Sequence, residues 1–374
     1  MKPIKFLTVF LFGIAMVAIL ALQPTLALAQ NPRTVTVLIG GGQDTTVLDG
    51  YFPQHLRIRV GDTVTWKYNA DTNGDRHTVT FNGGPFPGLK APLPAGGAGE
   101  VMPQRNIPVP GGAKGETMRN PLILFPTRQP GAPETYDGTT FVTSGEVSLR
   151  PRKGAPRIDS FSLTFTKPGL YRYVCLNHHP HMIGMVEVLP ANATDVPDQV
   201  QIDAQAKAEM DSLLAQIEKA KEQAKTVRNK PGPNGTTIWY VEAGALLSSE
   251  LRGMSFDFHP KNLTVKAGDT VIWEAKDTHT ITFVPSPPIP EPLIPKPQAE
   301  GMPLFVQNPK VTQPVVPSGV YDPSQYYNSA QIGFKQQRGT SWAMTLDKPG
   351  VYEYVCALHH ERGMKGTITV VARQ

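Results

Sequence analysis

One motif occurs twice in this chain and uses both of its cysteines. Residues 167–178 read KPGLYRYVCLNH, and residues 348–359 read KPGVYEYVCALH. Each copy ends in Cys-x-x-His, and a methionine follows within a few residues. A thiolate, an imidazole and a thioether on one short loop suit copper, although a second imidazole is then needed from elsewhere.

The second imidazole is also present twice. Residues 75–81 read DRHTVTF, and residues 277–283 read DTHTITF. His77 and His279 therefore precede the two cysteine motifs in the same order. The sequence predicts two copper sites, one in each repeat.

The repeat also predicts the architecture. At 374 residues the chain exceeds what a single hydrophobic core usually serves. Residues 53–66 align without a gap on residues 260–273, and both segments alternate apolar and polar positions around a Gly-Asp turn. Short strands with frequent turns predict an all-β fold of two β-sandwiches, at residues 34–190 and 236–372.

A helix is predicted between the two sandwiches, in a linker at residues 191–235. This segment is rich in Ala, Lys, Glu and Gln and ends at a Pro-Gly-Pro sequence. Its apolar residues recur at steps of three and four: Met210, Leu213, Ile217, Ala220, Ala224 and Val227. Packing against the sandwiches is favoured over a coiled-coil seam between two chains, because such a seam is normally longer.

Each domain carries a long insertion between its first histidine and its cysteine. Eleven prolines fall within residues 85–133 and eleven within residues 285–317. Proline cannot donate to a strand ladder, so these insertions are expected to follow extended paths over the surface.

The first 29 residues have the layout of a signal peptide. Lys2 and Lys5 precede an apolar run at residues 6–22, and residues 27–29 offer an Ala-x-Ala cleavage site. This predicts export, to the periplasm or the extracellular space, and membrane association only if the signal stays uncleaved. A disulfide between the cysteines is not expected, since they occupy equivalent positions of two domains.

The motifs resemble those of cupredoxins, the plastocyanin/azurin family of blue copper proteins. The resemblance rests on the Gly-Asp-Thr-Val-x-Trp strand pair, the His-Thr-[Val/Ile]-Thr-Phe run and the Cys-x-x-His loop, and it covers most of each sandwich. It implies a Greek-key topology and one type 1 copper ion in each domain. The family's ligand roles fall on His77, Cys175, His178 and Met182, and on His279, Cys356, His359 and Met364.

The first site leaves two ligands open. Three residues separate its histidine from its methionine, as in azurin, whereas the second site has the plastocyanin spacing of four. His179 therefore competes with His178, and Met185 competes with Met182. Alignment of the two repeats favours Met182.

The resemblance implies a non-catalytic electron carrier, with redox partner proteins docking near His178 and His359. A nucleic-acid partner is not expected, because the net charge is only +5 and no basic cluster is interleaved with aromatic residues.

Two alternatives to a carrier remain open. A copper oxidoreductase of the nitrite reductase or two-domain laccase type would need further histidines, and only five of the nine are left over. That number excludes a complete trinuclear cluster in one chain but leaves an additional interface copper possible. The other alternative, copper storage or delivery, favours exposed ligands over a cysteine fixed in a sandwich.

Overall fold

The computed structural model describes residues 31–70, 75–83, 103–127, 134–178, 181–245, 252–316, 320–333 and 339–373. The predicted signal peptide and parts of the first insertion lie outside the described residues. Within these ranges, no helix combines the length and the apolar character needed to cross a bilayer.

The first sandwich is built from two sheets. In chain order, the elements of this half are β1 (Thr34–Gln43), β2 (Thr46–Phe52), β3 (His55–Arg59), β4 (Thr63–Tyr68), β5 (Thr80–Asn82), β6 (Asn106–Pro108), β7 (Thr117–Arg119), α1 (Pro121–Leu124), β8 (Glu134–Tyr136), β9 (Phe141–Thr143), β10 (Ser160–Phe165), β11 (Gly169–Val174) and β12 (Ile183–Leu189). One sheet has the order β2-β1-β4-β10-β8, and the other has the order β3-β12-β11-β5-β9.

The linker forms helix α2 (Gln199–Ala224), which starts with a capping box made by Asp198 and Gln201. Its apolar stripe, including Leu213 and Ile217, is buried against β1 and β2 of the first sandwich. The helix ends at Ala224, so the predicted stripe extended one turn too far.

The second half repeats the architecture. Its elements are β13 (Arg228–Pro231), β14 (Thr237–Ala243), β15 (Met254–Ser255), β16 (Phe258–His259), β17 (Asn262–Lys266), β18 (Asp269–Ala275), β19 (Thr282–Phe283), β20 (Leu293–Lys296), β21 (Leu304–Gln307), α3 (Pro309–Thr312), β22 (Tyr327–Asn328), β23 (Ser341–Leu346), β24 (Gly350–Val355) and β25 (Lys365–Val371). One sheet has the order β13-β14-β18-β23, with β16 also paired to β14, and the other has the order β17-β25-β24-β19-β22. The prediction of two β-sandwiches joined by a helical linker is confirmed.

The repeated Gly-Asp turn has the same physical role in both sandwiches. Gly61 and Gly268 adopt φ values of 93° and 87°, a region that glycine enters without a steric cost. The following Asp62 accepts a hydrogen bond from the Arg59 amide at 3.0 Å, and Asp269 accepts the equivalent bond at 2.9 Å. These bonds fix the turn that leads into β4 and β18.

A tryptophan stands at the centre of each core. Trp66 and Trp273 are fully buried. The Trp66 ring lies 5.1 Å from Tyr173 in an edge-to-face contact, and the Trp273 ring lies 5.3 Å from Tyr354 in the same arrangement. Both tyrosines belong to the strands that lead to the cysteines, so the core positions each Cys-x-x-His loop.

The proline-rich insertions form a sheet that joins the two halves. Strands β6 and β7 of the first insertion pair with β20 and β21 of the second, in the order β20-β21-β7-β6. Strand β15 of the second half also extends the first sandwich by pairing with β2. The insertions therefore connect the sandwiches, whereas the sequence predicted only extended surface paths.

Candidate metal centres

The first centre brings together three side chains from distant parts of the chain. His77 precedes β5, Cys175 follows β11, and His178 lies on the loop that leads to β12. The Nδ1 atoms of His77 and His178 lie 3.1 Å apart, and Cys175 Sγ lies 3.5 Å from His178 Nδ1. The three donor atoms lie within 4.8 Å of one another.

The second centre has the same geometry. The Nδ1 atoms of His279 and His359 lie 3.2 Å apart. Cys356 Sγ lies 3.4 Å from His359 Nδ1 and 3.9 Å from His279 Nδ1. Metal–nitrogen bonds of about 2 Å and metal–sulfur bonds of about 2.3 Å require such separations. Each of the two donor sets therefore fits one soft metal ion of its own.

The two predicted methionine ligands are fully buried beside these centres. The Met182 carbonyl accepts a hydrogen bond from the Cys175 amide at 3.0 Å, and the Met364 carbonyl accepts one from the Cys356 amide at 3.2 Å. Each bond closes the loop between cysteine and methionine. The rival Met185 is partly exposed within β12, and the rival His179 lies outside the described residues.

Threonines support both cysteine sulfurs. The Thr78 amide donates to Cys175 Sγ at 3.3 Å, and the Thr280 amide donates to Cys356 Sγ at the same distance. Each threonine hydroxyl also accepts from the amide that follows the cysteine, at 2.8 Å in the first centre and 2.7 Å in the second. Each threonine thus links the segment that carries the first histidine to the cysteine loop, and these bonds hold the donor atoms in place.

Burial determines the protonation of the donor groups. It lowers the pKa of His77 to about 4, with a smaller contribution from His178, and lowers the pKa of His279 to about 4. Burial also raises the pKa of the Cys175 thiol to about 12 and raises that of Cys356. The imidazoles are therefore neutral and ready to bind a metal at pH 7, whereas each thiol must lose a proton first.

The two centres face each other across a cleft between the sandwiches. His178 and His359 both line this cleft, which has a volume of about 360 Å³. Near His178, Asp75 accepts a hydrogen bond of 2.7 Å from Arg362, a residue of the second domain's loop. The ring of Phe256 stacks on His359 with centroids 4.2 Å apart and lies 5.2 Å from the Arg362 guanidinium.

The residues that bridge the centres, Asp75 and Arg362, were not predicted from the sequence. Burial opposes ionisation of Asp75, but Arg362 and His178 outweigh it and hold the pKa of this carboxyl below its usual value. In the sequence, only the repeated Asp-x-His spacing singled out Asp75, because Asp277 stands at the same position before His279. Nothing in the sequence marked Arg362 as a partner.

The remaining described histidines are not part of either donor set. His55 is half exposed beside Glu187, and His259 is buried in the second sandwich. His181 and His360 line the cleft, and His360 Nδ1 lies 3.1 Å from the Ala357 carbonyl.

A family model matches the half of the chain that holds the second centre. The family described as copper binding proteins, plastocyanin/azurin family, matches residues 246–371. Plastocyanin of Scenedesmus fuscus is 29% identical over 115 residues, which are 30% of this chain and 85% of that protein.

Solved structures were also matched. Oxidised plastocyanin of Dryopteris crassirhizoma is 22% identical, with 35% of this chain and 99% of that chain covered and a TM-score of 0.19. A purple cupredoxin of Nitrosopumilus maritimus is 17% identical, with 35% and 98% covered and a TM-score of 0.19.

Proposed function

We propose that this chain is an exported blue-copper protein with one copper ion in each sandwich, because residues 246–371 match the model of the copper-binding plastocyanin/azurin family. It carries single electrons between redox partners. The observation that carries this proposal is the convergence of one cysteine sulfur and two imidazole Nδ1 atoms, found once in each half of the molecule.

Copper bound at these donors would take up and give back one electron. The protein's contribution is a donor set that moves little between the two oxidation states. The sulfur is held by a threonine amide, and the loop is closed by the bond between the cysteine amide and the methionine carbonyl. Such a rigid frame reduces the rearrangement that accompanies each electron transfer, which suits a carrier.

The facing histidines support electron exchange between the two coppers. His178 Nε2 lies 3.6 Å from Asp75, which binds Arg362, and Arg362 lies over the Phe256 ring that stacks on His359. Short contacts thus connect the two loop histidines within one chain.

After flash reduction of one copper, we expect absorption to re-equilibrate at a rate independent of protein concentration. A rate proportional to concentration would show exchange only between molecules.

Partner docking is proposed at the mouth of the cleft. The His178 side chain is only 19% exposed and is surrounded by polar residues. A partner would therefore approach the histidine edges where the cleft opens to solvent.

Stoichiometric titration tests the carrier proposal. The copper-loaded chain is expected to accept two electrons reversibly and to contain two copper ions.

An oxidoreductase with an additional interface copper is the second candidate, because ligand atoms of Glu291, His360 and Glu361 lie within 4.8 Å of one another beside the cleft. Three copper ions per chain, or catalytic oxidation of a reductant by a small oxidant, would show that the protein is an enzyme and not a carrier.

Copper binding should depend on pH through the cysteine thiol. Between the pKa of His77, about 4, and that of Cys175, about 12, the first centre holds one proton on sulfur and none on this imidazole. Binding then releases one proton, so affinity should rise about tenfold for each pH unit. Competition with a copper(I) chelator at pH 6, 7 and 8, in a Cys356→Ser background, measures this slope. An affinity independent of pH would contradict it.

A further inference from the structure

One buried charge in the cleft has no use in either metal centre. Arg119, at the end of β7, is only 7% exposed, and its Nε and Nη1 atoms have no hydrogen-bond partner among the described residues. Burying a guanidinium whose N–H groups lack partners is destabilising, because the charge loses its hydration without compensating hydrogen bonds. The first insertion therefore places a charged side chain in the cleft, and this placement destabilises the folded state.

Its neighbours increase that cost. Burial lowers the pKa of Arg119, the positive charges of Arg105, Arg152 and Arg76 lower it further, and the negative charge of Glu146 opposes them. All four arginines line the cleft beside the His178 loop. The cluster thus has an excess of positive charge.

Three carboxylates near these arginines already have partners. Glu146 accepts hydrogen bonds from Arg152 Nε and Nη2, at 2.9 and 3.1 Å, and from Asn177 at 3.1 Å. Asp75 is bound by Arg362. Glu361 lies 3.7 Å from Arg76 and is half exposed. None of these contacts involves Arg119 or the side chain of Arg105.

We propose that Arg119 and Arg105 form a binding site for a small oxyanion in the cleft, beside the loop that carries His178. The ligand is an inorganic oxyanion or a small carboxylate, because a guanidinium presents its N–H groups in a fork that matches two oxygens of such a group. The cleft volume of about 360 Å³ admits an ion of this size. The site uses no metal donor, so it stands whether or not the copper proposal holds.

The test measures anion binding to the full chain, with and without copper. Sulfate, phosphate and acetate are compared with chloride at equal ionic strength by calorimetry and by thermal unfolding. We expect saturable binding of at least one oxyanion and a matching rise in the unfolding temperature. Preference for sulfate or phosphate identifies an inorganic ligand, and preference for acetate identifies a carboxylate.

Two substitutions and a control locate the site. Arg119→Gln should weaken binding at least about tenfold, because it removes charge-assisted hydrogen bonds. Arg105→Gln should also weaken binding, and its exposed position allows the variant to fold if Arg119→Gln does not. Arg157→Gln, the same change at an exposed arginine outside the cleft lining, should bind as the wild type does.

A second readout separates a ligand site from a purely structural arginine. In chloride, Arg119→Met should unfold at the wild-type temperature or above, because the substitution removes a buried charge whose Nε and Nη1 atoms lack partners among the described residues. The proposal is overturned if no oxyanion binds saturably, if Arg119→Gln and Arg157→Gln bind equally well, or if Arg119→Met strongly destabilises the chain in chloride.

Discussion

Replacing Cys175 by serine should remove one coloured copper centre and leave the other intact. The sulfur of Cys175 is the donor that completes the set with His77 and His178. A serine hydroxyl is a hard oxygen donor that does not ionise near neutral pH, so it cannot replace the soft thiolate that copper prefers. The thiolate-to-copper absorption of the first site should vanish, and copper(I) affinity there should fall by orders of magnitude.

The reciprocal variant is the internal control. Cys356→Ser should remove the second centre and preserve the first, and the two difference spectra should add up to the wild-type spectrum. Both substitutions exchange sulfur for oxygen at a fully buried position, so general effects on folding are matched. Loss of all colour in either single variant would show that the centres are not independent. Full colour in either variant would exclude that cysteine as a ligand.

Replacing Arg362 by alanine should destabilise the contact between the sandwiches by about 3–5 kcal/mol, the usual cost of breaking a buried ion pair. Arg362 donates to Asp75 at 2.7 Å, and the two side chains are only 8% and 11% exposed. The substitution leaves the Asp75 carboxylate buried without its partner and removes the cation from the face of Phe256. Denaturant unfolding, with copper content measured in parallel, gives the free energy.

An exposed arginine offers the matched control. Arg228 pairs with Glu274 at the same 2.7 Å, but their side chains are 48% and 42% exposed. Arg228→Ala should therefore cost only about 1 kcal/mol or less. Equal losses for the two variants would show that the buried Arg362 pair contributes no more to stability than an exposed pair.

The sandwiches and the donor sets were predictable because their signals are local. Alternating apolar residues define a strand wherever one face is buried, and the core tryptophans of β4 and β18 fall on that pattern. The Cys-x-x-His spacing places two donors on one loop, and the repeat shows which earlier histidine completes each set. The alignment of the two halves therefore replaced much of the information that a structure supplies.

The contacts between the halves could not be read in this way. Strand β7 joins β21 through Met118 and Val306, which are far apart in the chain and lie in proline-rich segments with no strand pattern. Arg119 and Arg362 reach the cleft only because that pairing and the loop geometry bring them there. The second repeat has Gln307 where the first has Arg119, in front of the equivalent Asn-Pro helix start, and the first loop has no arginine between His178 and Met182. Self-similarity therefore marked neither arginine.

The most direct test of the central claim is copper analysis of the purified wild-type chain, combined with its absorption spectrum in the oxidised state. The carrier proposal predicts two copper ions per chain and an intense thiolate-to-copper absorption that disappears on reduction and returns on oxidation. A chain that binds its full complement of copper and stays colourless would contradict the proposed coordination of copper by a cysteine sulfur and two imidazoles in each half.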